Sequence, residues 1–112
     1  MTATPKKLIQ GSQLTASAAT YYTAPANTRT LIKKVTLTNN DTVARTATIY
    51  LVPTAGTAGV TNLLTKAASI AAGSTYEAFE AEGHILQAGD FIQALADTTL
   101  MVTIQASGVE IV

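Results

Sequence analysis

Residues 29–52 read RTLIKKVTLTNNDTVARTATIYLV, and this stretch decides the fold class. In its second half Val43, Ala47, Ile49 and Leu51 fall on one face, and Thr46, Thr48 and Tyr50 on the other. That period of two is the mark of a half-buried strand. Arg45 is the one polar exception on the apolar face, near its end. Residues 29–38 carry the same signature, with Val35 and Leu37 on one face and Thr36 and Thr38 on the other. Ile32 falls on the Thr side, so parity slips at Lys33-Lys34, and a β-bulge there would restore one apolar face. Asn39-Asn40-Asp41-Thr42 is turn chemistry. Two alternating runs around such a turn predict a β-hairpin.

Working outward, Thr20–Thr23 reads as a short strand, and Ala24-Pro25-Ala26-Asn27 turns the chain into residues 29–38. In a regular strand the rings of Tyr21 and Tyr22 point to opposite faces, so one is expected inside and the other outside as a candidate contact. Residues 1–13 show no period, and Leu8-Ile9 is their only apolar point. They predict an extended N-terminal arm, either frayed or ordered by a neighbouring subunit, ahead of a β-sandwich domain over residues 14–112. Beyond Pro53, residues 54–61 are a loop of small residues. Residues 62–70 fit a strand or a helical turn and are read as strand in this setting. Strands follow at Thr75–Glu80, His84–Gln87 and Phe91–Leu95, each bounded by Gly or Asp turns. In the last run, Thr99–Ala106, Leu100, Val102, Ile104 and Ala106 alternate with Met101, Thr103 and Gln105. Ser107-Gly108 predicts a second bulge, after which Val109 and Ile111 form a further apolar pair. Seven or eight short strands with evenly spaced turns predict an all-β protein. The expected form is a single antiparallel β-sandwich, of jelly-roll or immunoglobulin-like type.

Composition narrows the function. The 112 residues suit one domain. Charged residues make up 12%, against about 25% in an ordinary globular protein, while Thr and Ala contribute twenty each. A Thr-rich surface suits strands and is cheaper to bury against a neighbour than one of Lys and Glu, because fewer ions lose water. Seven basic and seven acidic residues leave zero net charge, which argues against a nucleic-acid partner. No apolar run reaches the roughly 20 residues that span a bilayer, and Met1–Gln10 lacks the apolar core of a signal peptide. No membrane partner is expected. With no Cys, neither disulfides nor thiolate metal sites can form.

The chemistry of catalysis is sparse. His84 is the single histidine. Glu77, Glu80, Glu82 and His84 cluster in sequence, and a strand running through Gly83 would collect Glu80, Glu82 and His84 on one face as in a small cupin-type metal site, but Gly83 predicts a turn instead. Asp90 and Asp97 read as turn residues. No nucleophile elbow or phosphate loop is present. The expectation is a non-enzymatic protein without cofactor. Its candidate interface residues are Leu8, Ile9, Tyr21, Tyr22, Val109 and Ile111. The chain's apolar end, Val109, Ile111 and Val112, favours a covered or paired terminus and hence a homo-oligomer.

The order of motifs carries a resemblance. YTAPANTRTLI (22–32), VTLTNN (35–40), ATIYLVP (47–53), IAAGSTYE (70–77), HILQAGDFIQALA (84–96) and VTIQASGVEI (102–111) run in this order. The array resembles small bacteriophage and prophage β-sandwich proteins of the virion, over roughly residues 20–112. The resemblance implies a structural protein located in the virion, with capsid or other virion proteins as partners. Its role would be capsid decoration (cement), in which each copy bridges shell subunits. The alternative is a tail- or fibre-associated module that binds another tail protein or a host-surface glycan. It implies no catalytic residue.

Overall fold

The computed structural model describes residues 1–112 and contains no helical segment. Nine strands follow in chain order: β1 (Ala3–Gln13), β2 (Ala19–Thr23), β3 (Arg29–Asn39), β4 (Arg45–Val52), β5 (Leu63–Ile70), β6 (Thr75–Glu77), β7 (Ile85–Leu86), β8 (Phe91–Ala96) and β9 (Val102–Ile111). One sheet has the order β1-β9-β3-β6, with β7 also paired to β3; the other has the order β2-β8-β4-β5. All pairings are antiparallel. The pairs β4·β5, β3·β6, β2·β8 and β1·β9 nest inside one another along the chain. This is the winding of a jelly roll, so of the two expected forms the jelly roll is the one adopted.

The strands of residues 29–52 are present, but they do not form the expected hairpin. β3 pairs with β9, β6 and β7, whereas β4 pairs with β5 and β8 in the opposite sheet. Ile32, Val35 and Leu37 on β3 and Ala47 and Ile49 on β4 are all almost completely buried, and the chain turns through an arch that sets these faces in opposed layers. Asn39, fully buried, makes the corner. Its Nδ2 donates to the carbonyls of Val43 at 2.9 Å and Ile70 at 3.0 Å, and its Oδ1 accepts from the Asp41 N–H at 2.8 Å. Turn composition is the same for a hairpin and an arch, so it does not separate them.

The bulge expected at Lys33-Lys34 is present. The β3·β9 register shifts between Ile32 and Lys34, and the extra residue returns Ile32 to the face of Val35 and Leu37. The bulge expected at Ser107-Gly108 lies instead in the neighbouring strands. β9 alternates without interruption, with Val102, Ile104, Ala106 and Gly108 inward, while β1 shifts register opposite Ala106 and Ser107, between Lys7 and Ile9. Gly108 is required there because a Cβ would overlap the Leu31 carbonyl oxygen and lie 2.8 Å from Leu8 Cδ1.

Residues 1–13 are not an arm. Ala3–Gln13 is the edge strand β1, paired to β9 along its length, and Thr2 exchanges both backbone hydrogen bonds with Val112. Its apolar period was hidden by the bulge, which turns Leu8 and Ile9 inward together. The sandwich therefore includes residues assigned to the arm. Three later strands are shorter or displaced: β6 stops at Glu77, β7 is Ile85–Leu86, and β9 runs from Val102 to Ile111. The core is built from Leu, Ile and Val with many alanines, among them Ala47, Ala94, Ala96 and Ala106. Each fully buried large side chain contributes about 1.5–3 kcal/mol.

Candidate functional site

Two faces of the sandwich are open, and the outer face of the β1-β9-β3 sheet is the less ordinary. The bulge in β3 leaves Leu31 pointing outward, and the unbroken alternation of β9 does the same for Val109. Register then aligns Pro5 with Val109, Val109 with Leu31, and Leu31 with Ile85. These four apolar residues make one unbroken row across β1, β9, β3 and β7. A second row, Ala3–Ile111–Arg29, lies beside it. Between them Met1, Ala3, Arg29, Leu31, Ile85 and Ile111 line a groove of about 300 Å³. Ile85 is 57% exposed and Met1 98%. A contiguous apolar strip on an otherwise wet sheet marks an interaction surface more often than scattered apolar residues do.

Of the six residues expected at an interface, Val109 and Ile111 lie on this strip. Leu8 and Ile9 do not: they are 7% and 3% exposed and belong to the core. Tyr21 and Tyr22 do not divide between faces either. The β2·β8 register shifts between Thr20 and Tyr22, and both rings pack, half-buried, against the core. Leu31, Ile85, Pro5 and Ala3 escaped the sequence reading. The parity slip at Lys33-Lys34 was the available signal for Leu31, since restoring Ile32 to the inner face sends its neighbour out.

The polar groups are mostly tied down. Tyr22 donates to Glu110 Oε2 at 2.6 Å and shares a 2.7 Å hydrogen bond with Thr30, joining the two sheets at one end. Lys6 sits 3.4 Å from Glu110 on its other side. Burial, followed by the Glu110 carboxylate, pushes the Tyr22 phenol up to about 12. Glu80 accepts from Thr65 and from Tyr76. Burial raises the Glu80 carboxyl, but these donors outweigh it and leave it below the usual range. The neighbouring Glu77 holds the Glu82 carboxyl above its ordinary value. Asp90 accepts from the Thr54 and Gln87 N–H groups, as a turn residue does. Arg45, the exception on β4, pairs with Asp41 at 2.8 Å. Glu80, Glu82 and His84 do not converge, and no group of three or more His, Asp or Glu side chains has metal-holding spacing.

No protein-family model and no curated protein matches the sequence. Solved structures do. A chain of the Bacillus endospore appendages, described as disulfide-linked pili, superposes with a TM-score of 0.58 at 14% identity, over 97% of this chain and 87% of that one. A chain of the infectious bursal disease virus Gx strain superposes with a TM-score of 0.50 at 12% identity, over 97% of this chain and 31% of that one. At such identities the likeness speaks for the fold alone: an all-β sandwich of a kind found in a pilus and in a virus.

Proposed function

We propose that this chain is a non-enzymatic structural subunit of a phage or prophage virion. More specifically, it is a decoration protein that lies on the capsid and bridges neighbouring shell subunits. The observation that carries the reading is the row Pro5–Val109–Leu31–Ile85. It is an apolar surface spanning a whole sheet, on a chain with only 12% charged residues. A partner covering this row removes apolar area from water at small desolvation cost. If the receiving surface exists only on the assembled shell, binding stabilises the shell by mass action. The jelly-roll winding and the resemblance of the motif order to phage virion proteins support the same reading. Copies arranged by the shell's symmetry account for the expected homo-oligomer.

A second reading, a tail or fibre module, is favoured by one observation. Thr20, Gln93 and Tyr50 align across the outer face of the other sheet, a hydroxyl-rich row with an aromatic ring, suited to another tail protein or a glycan. The deciding experiment is a mass-spectrometric inventory of purified virions separated into heads and tails. Decoration predicts head copies comparable in number to the major capsid protein, and reduced thermal stability of heads lacking the chain. A few copies confined to tails would sink decoration and favour the second reading.

A further inference from the structure

We infer that the surface received by the outer face of the β1-β9-β3 sheet is a protein surface both acidic and apolar. Its carboxylates meet Lys7, Lys33 and Lys34 while its apolar side chains cover Leu31, Val109 and Ile85. The inference rests on the reading of this face as the assembly surface and adds the chemistry of the partner.

The two Lys-Lys pairs are far apart in the sequence, and the fold brings them together. β1 and β3 flank β9, and both bulge at the same level, so Lys7 and Lys34 both stand opposite Ser107. Lys6, Lys7, Lys33 and Ser107 line a shallow depression of about 510 Å³ directly beside Pro5 and Val109. Lys7, Lys33 and Lys34, with Arg29 of the second row, thus put four of the seven basic residues on one face of a chain with zero net charge, whereas Lys6 stands opposite the inward Gly108. Lys7 and Lys34 are two strand spacings apart, about 10 Å, so salt screens their repulsion while both face solvent, and a partner that covers them removes that screening. Few carboxylates of the protein itself pair with these lysines. Lys6 is held by Glu110 at 3.4 Å. Lys34 lies 3.9 Å from the half-exposed Glu77, with Glu82 next to it. Lys7 and Lys33 form no ion pair.

Charge complementarity selects the occupant. A partner bearing carboxylates pairs with lysines that would otherwise be covered uncompensated, and the adjoining apolar row gives the same partner an uncharged area to bury. Nucleic acid or a sulfated glycan would neutralise the lysines but leave the apolar row wet. The face, four strands wide and about ten residues long, covers on the order of 600 Å². That approaches the roughly 800 Å² per partner of a stable protein interface. The lysines would steer encounter, and the apolar row would set residence time.

The test uses the full-length chain, isotope-labelled for NMR. The probe is a synthetic peptide with a leucine-rich half and a glutamate-rich half, run against oligothymidylate and a heparin oligosaccharide. The expected result is peptide binding that shifts the amides of Leu31, Lys33, Ser107 and Val109. It weakens at least tenfold in K7E/K33E and at least tenfold in L31S, with melting temperatures of both variants close to wild type. A peptide with lysines in place of glutamates should bind K7E/K33E and not wild type. The inference is overturned by no peptide binding, by shifts confined to another face, or by DNA or heparin binding as tightly as the peptide without dependence on Leu31. Absence of the chain from virion heads would remove the decoration reading and leave this result standing. Loss of lysine dependence would do the reverse.

Discussion

At the scale of single residues, Asn39 and Tyr22 hold the two layers together, and both act through polar atoms in an apolar setting. Asn39 satisfies the carbonyls of Val43 and Ile70 and the Asp41 N–H from a fully buried position. Replacing it with Ala leaves these groups buried without partners, at about 1–3 kcal/mol for each one left unsatisfied. Asn39→Ala should therefore lower the urea midpoint by more than any substitution among the neighbouring turn residues. An unchanged midpoint would remove the corner role. Tyr22 sets an alkaline limit. Its folded pKa of about 12 exceeds the ordinary 10.0, so above pH 10 the unfolded chain loses the proton first. The phenol's contribution is complete below pH 10, declines between about 10 and 12, and is absent above. Tyr22→Phe should flatten that part of the stability curve. Tyr76, raised by burial and then by Glu80, should join Tyr22 among the late-titrating phenols in an absorbance titration.

At the scale of strands, the bulges decide which side chains the solvent meets. The extra residue at Lys33 lets Ile32 face the core while Val35 and Leu37 keep their places. Deleting Lys33 moves one half of β3 by a residue and turns its apolar set outward. The deletion should abolish cooperative unfolding in circular dichroism and calorimetry. Lys33→Ala keeps the residue count and removes only an exposed charge, so it should change stability by no more than about 0.5 kcal/mol. Equal effects of the two changes would mean the bulge has no structural role. β1 manages its open edge by similar means. Thr2 forms the hydrogen-bonded pair with Val112, so the period of two places Pro5 where its backbone nitrogen faces the free edge. A Pro there, with bulges further along the strand, blunts edge-to-edge pairing. This favours association through the face over association through the edge.

At the scale of the whole molecule, the winding brings both ends of the chain into one ladder. Thr2 bonds Val112, and β1 pairs along β9. The chain must close loops of nearly its full length before those contacts form. Non-local β topologies of this kind fold in milliseconds to seconds. Stopped-flow refolding should show a phase in that range. Removing residues 1–7 should destabilise the entire sandwich, because β9 would lose the partner of its last turns of ladder. Retention of the full melting temperature after that removal would count against β1 as an integral strand.

The all-β class, most strands and the Lys33 bulge were legible in the sequence alone, because period two and a parity slip are local properties of residues 29–52. The low charge and high Thr content likewise mark an unusual surface in the sequence itself. Partner choice among strands was not legible. Asn39-Asn40-Asp41-Thr42 serves a hairpin or an arch equally, and only the burial of both apolar faces in opposed layers selects the arch. The bulge at Leu8 masked the period of β1 and made an edge strand of the sandwich resemble an arm. The apolar row and the lysine cluster exist only across strands, among residues remote in sequence that become neighbours once β1 and β3 flank β9. Register, a property of pairing and not of any one segment, decided the surface on which the proposed function rests.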